Sequence, residues 1–114
     1  MKSIEAVTKS TLKRALWCAK HAKRNAEVED LRCRTIRVCI RGAECQAVLD
    51  YLKDFASNAE RVSVMDLLSG ALAVNEMHVM GISYFTPIVM FKYPLSTYLG
   101  VVNSIISRIE GERT

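Results

Sequence analysis

The sequence predicts an α+β domain, a ferredoxin-like or related sandwich in which helices cover a mostly antiparallel sheet. Three observations carry that expectation. An N-terminal segment free of Gly and Pro repeats its apolar residues every three or four positions, the period of a helix. Segments around 36–41 and 62–68 place apolar residues at every second position, the period of a half-buried strand. Thr86-Pro87 then parts two apolar runs as a turn parts a hairpin. The expected order is α-β-α-β-β-β-α.

Each element has its own warrant. From Ser3 to about Asn25, the residues Ile4, Thr8, Leu12, Ala15, Ala19, Ala22 and Ala26 form one broad apolar stripe. The opposite side gathers Lys2, Lys9, Lys13, Lys20 and Arg24 into a basic stripe. After the acidic stretch Glu27 to Asp30, Ile36, Val38 and Ile40 alternate with Thr35, Arg37, Cys39 and Arg41, which predicts the first strand. Gly42 permits a turn. A second amphipathic helix is expected from Ala43 to about Ser57, with Val48, Leu52 and Phe55 inward and Glu44, Asp50 and Asp54 outward.

Ser57-Asn58 suggests a loop, followed by a strand over Arg61 to Leu68 built on Val62, Val64 and Leu68 and broken at Ser69-Gly70. Met77 to Phe85 and Ile88 to Tyr93 are expected to pair as a hairpin. Pro94 ends the second of these. Ser96 or Thr97 then caps a last helix to about Ile109, with Tyr98, Val102, Ile105 or Ile106, and Ile109 inward.

A chain of 114 residues is expected to form one domain over 1–114 and to bury roughly two-thirds of its unfolded surface. Half the residues are hydrophobic and a quarter are charged, a balance that fits an ordinary globular domain and argues against disorder. The apolar region Met77 to Val102 is interrupted by His78, Pro87, Lys92 and Pro94, so no membrane span is expected. The start, Met-Lys-Ser-Ile-Glu, lacks the apolar core of a secretory signal, which makes a cytoplasmic protein the expectation.

Charge is segregated along the chain. Residues 1–42 hold eleven Lys or Arg against four Asp or Glu, whereas residues 43–114 hold five against eight. Such asymmetry concerns partners rather than fold. The basic stripe continues into Arg34, Arg37 and Arg41, and arginine makes planar, bidentate contacts to phosphate. Trp17 lies near the basic side of the first helix, where an indole can stack on a base. Lys9, Lys13, Trp17, Lys20, Arg24, Arg34, Arg37 and Arg41 are therefore the expected nucleic-acid contacts.

No enzyme signature is present: no phosphate-binding glycine loop, no HExxH and no nucleophile elbow. His21 and His78 fall in different elements. Asp66, in an apolar run, needs a partner if it is buried. Cys18, Cys33, Cys39 and Cys45 contain no CxxC pair, and Cys18 with His21 makes only half of a metal site. The cysteines are expected to be small buried apolar residues. A non-enzyme without catalytic residues, metal or cofactor is the expectation.

Leu12-Lys-Arg-Ala-Leu-Trp17, then Thr35-Ile-Arg-Val-Cys-Ile-Arg41, then the helix from Ala43 and the run Val64-Met-Asp-Leu-Leu-Ser-Gly-Ala-Leu72 form a succession. It resembles the small ferredoxin-like (Pop-five type) protein subunit of archaeal and eukaryotic ribonuclease P. That family has a strand rich in Ile, Arg and Val before a helix, and a later strand ending in Ser-Gly-Thr, where this chain has Ser69-Gly70-Ala71. The family opens with a strand, whereas this chain opens with a helix. The resemblance implies a non-catalytic subunit that assists an RNA in precursor tRNA processing beside another protein.

The expected function is thus a non-catalytic RNA-binding subunit of a ribonucleoprotein. Two alternatives stand beside it. One is a small nucleic-acid-binding subunit of a guided defence complex. The other is a homo-oligomeric interaction module, using Met77 to Phe91 as its interface and binding no nucleic acid.

Overall fold

The computed structural model describes residues 3–21, 40–79 and 91–111, and these form a helical bundle. Among them are four helices and no strand: α1 (Ile4–His21), α2 (Gly42–Leu52), α3 (Asn58–Val79) and α4 (Leu95–Gly111). The expected α+β ferredoxin-like sandwich is therefore wrong for this chain. Residues 61–68, expected as a strand, lie inside α3. Met77, His78 and Val79, expected to open the hairpin, instead form the end of the same helix. Ile40 and Arg41 lead into α2 without forming a strand, and residues 91–93 precede α4 likewise. The remainder of the first expected strand and of the hairpin lies outside the described residues. So does most of the Met77 to Phe91 region expected as an oligomer interface.

The helix over 58–79 has a physical reason. Val62 and Val64 suggest a period of two, but the buried hydrophobic side chains are Val64, Leu67, Leu68, Ala71 and Val74, which recur at steps of three and four. Burying that stripe against the other helices outweighs the modest strand preference of two valines. The start is also marked. The Ser57 hydroxyl accepts the Glu60 N–H at 3.2 Å, and the Glu60 carboxylate accepts the Ser57 N–H at 2.9 Å, a reciprocal capping box. Gly70 does not end the helix and is buried within it.

The other helices match their sequence patterns more closely. Ser3 caps α1, its hydroxyl accepting the Ala6 N–H at 3.2 Å. Thr8, Leu12, Ala15 and Ala19 are buried along its inner side. Val48 and Leu52 of α2 are buried, and Phe55 packs on the core from the turn that follows. In α4 the buried residues are Tyr98, Val102, Ile105 and Ile109.

α1 packs against all three other helices. Contacts between ends give the directions. The buried Asn75, late in α3, donates to the Ile40 carbonyl just before α2 at 3.4 Å, so α2 and α3 run antiparallel through the short turn joining them. Arg108, late in α4, pairs with Glu60 in the first turn of α3, while Lys92, before α4, reaches Asp66 at 3.8 Å, so α3 and α4 are also antiparallel. Lys9 of α1 meets Glu110 at the end of α4 at 3.8 Å, and Arg14 meets Glu44 in the first turn of α2. α1 therefore rises from the end where α4 finishes to the end where α2 begins. An up-and-down bundle results, with a core of interlocking aliphatic side chains and Tyr98.

Candidate nucleic-acid interface

α1 sorts its cations into two kinds. Lys9 and Arg14 are half-buried and paired with acids of other helices, Glu110 and Glu44. The Glu44 carboxylate also accepts the Thr11 hydroxyl at 3.1 Å, tying α1 to α2. Glu44 was expected to face outward; instead it is the partner that lets the Arg14 guanidinium lie partly inside. Lys13 and Lys20 are exposed and pair with no acid among the described residues. Seven residues apart on one face, they stand about 10 Å apart along the helix axis.

Arg41 adds a third exposed cation. It occupies the N-cap position of α2 with extended backbone, φ −111° and ψ 148°, and its side chain makes no capping hydrogen bond. The directions of the helices bring it to the same end of the bundle as Lys20. Arg24, Arg34 and Arg37 lie outside the described residues. Trp17 is half-buried and packs against the core, so only part of the indole is accessible.

The structure thus exposes Lys13 and Lys20 on one face of α1, places Arg41 at the same end of the bundle as Lys20, and assigns Lys9 to a helix–helix contact. Arg14 was not among the expected contacts, and its role is to hold α1 on α2. A single sequence offers no signal for that division, because Lys9 and Lys13 sit one turn apart on the same expected stripe.

Other reactive groups have structural roles. Cys18 and Cys45 are thiols, not half-cystines, and both are buried in the core. Cys33 and Cys39 lie outside the described residues. Burial, with the Glu44 carboxylate beside it, pushes the Cys45 thiol up to about 11, so it stays protonated and is a poor nucleophile at neutral pH. Asp66 has the partner its surroundings demand, the Lys92 ammonium. The Tyr98 hydroxyl accepts the Tyr93 N–H at 3.1 Å, and burial raises its acid range. Its ring meets those of Phe91 and Tyr93 edge to face.

Among the described residues no group of three His, Cys, Asp or Glu side chains is placed to hold a metal ion. Nor is any helix among them long and apolar enough to cross a membrane. No family model, no curated protein and no solved structure matches the chain.

Proposed function

We propose that this chain is a non-catalytic, helical RNA-binding subunit of a larger ribonucleoprotein, gripping the phosphate backbone through the outer face of α1 and the start of α2. One observation carries the reading. Acids neutralise Lys9 and Arg14, whereas Lys13, Lys20 and Arg41 remain exposed and unpaired among the described residues. Unpaired cations at about 10 Å spacing on a rigid helix suit a line of phosphates and read no base edges. The basic balance of residues 1–42 supports the same reading. The ferredoxin-like scaffold implied by the ribonuclease P resemblance is absent from the described residues, so charge placement is the support.

The test is a binding titration of single-stranded and duplex RNA, with DNA of the same sequence, across a salt series. For Lys13→Glu with Lys20→Glu, binding weakens roughly 10- to 100-fold near 0.1 M salt, and the slope of log K against log salt flattens by about two. Both side chains are exposed, so the melting temperature stays within a few degrees of the parent. Unchanged affinity and slope in a folded double variant would refute the proposal. Tighter binding to DNA than to RNA would remove RNA as the partner.

A further inference from the structure

We draw no further inference here: the strongest candidate, the exposed apolar patch of Val62 and Met65 on the outward face of α3, carries none because nothing among the described residues shows what covers it.

Discussion

Replacing Leu67 by alanine removes three carbons from a side chain that is 0% exposed and lies at the centre of α3's buried stripe. The lost transfer energy and the cavity left behind together cost about 3–4 kcal/mol. A domain of this size is stable by roughly 5–15 kcal/mol, so the loss is a large fraction of the whole. With a urea slope of about 1–3 kcal/mol per molar, the unfolding midpoint falls by roughly 1–4 M while the slope stays the same. Val62→Ala, five residues earlier, is the matching control. Val62 is 43% exposed, and the lost burial is offset by alanine's better helix propensity, leaving a change within about 0.5 kcal/mol. A strand over 61–68 makes the opposite demand, because alternation would turn Val62 inward with Val64 and Leu68 and turn Leu67 out. Urea unfolding of the two variants side by side therefore discriminates helix from strand. Val62→Ala as costly as Leu67→Ala, or a harmless Leu67→Ala, would refute the packing assigned to α3.

Two further outcomes follow from titratable groups. The Ser57 N–H, the Ser57 hydroxyl and the Arg108 guanidinium hold the Glu60 carboxyl below its ordinary range near 4.5. A carboxylate with a lowered folded-state value contributes stability above its unfolded value and loses it as pH falls through the folded one. Glu60→Gln should thus cost about 1 kcal/mol at neutral pH, and its difference from the parent should close below pH 4.5, as followed by thermal melts across pH. The Cys45 thiol has the opposite sign: raised to about 11, it contributes stability at neutral pH that is lost as pH rises from 9 towards 11. In the native protein at pH 8, Cys18 and Cys45 should react with a thiol reagent only at the rate of opening, and a fast reaction of either would contradict their burial.

The contrast between α4 and α3 shows what a sequence can reveal. Tyr98, Val102, Ile105 and Ile109 were legible as the buried line of α4 because a polar opposite face leaves one arrangement that keeps them dry. In α3 the apolar residues lie on more than one side, so periodicity is blurred, and Val62 with Val64 resembles a strand. The decisive local signal was present in Ser57-Asn58-Ala59-Glu60, a capping box that starts a helix where a loop was expected. The basic stripe of α1 was legible too, but its division into paired and free cations was not.

Sequence by itself determined that α1, α2 and α4 are helices, together with much of their inner faces and the concentration of positive charge in residues 1–42, because these follow from spacing and composition along one segment. It did not set their ends: α2 stops at Leu52 rather than near Ser57, and α4 starts at Leu95, before the expected caps. Tertiary structure alone decided that residues 58–79 are helical. It also decided that Glu44 and Glu110 pair with Arg14 and Lys9 while Lys13 and Lys20 meet no acid among the described residues. Both outcomes depend on groups far apart in the chain meeting across helix interfaces, where burial and ion pairing outweigh the local preferences of any one segment.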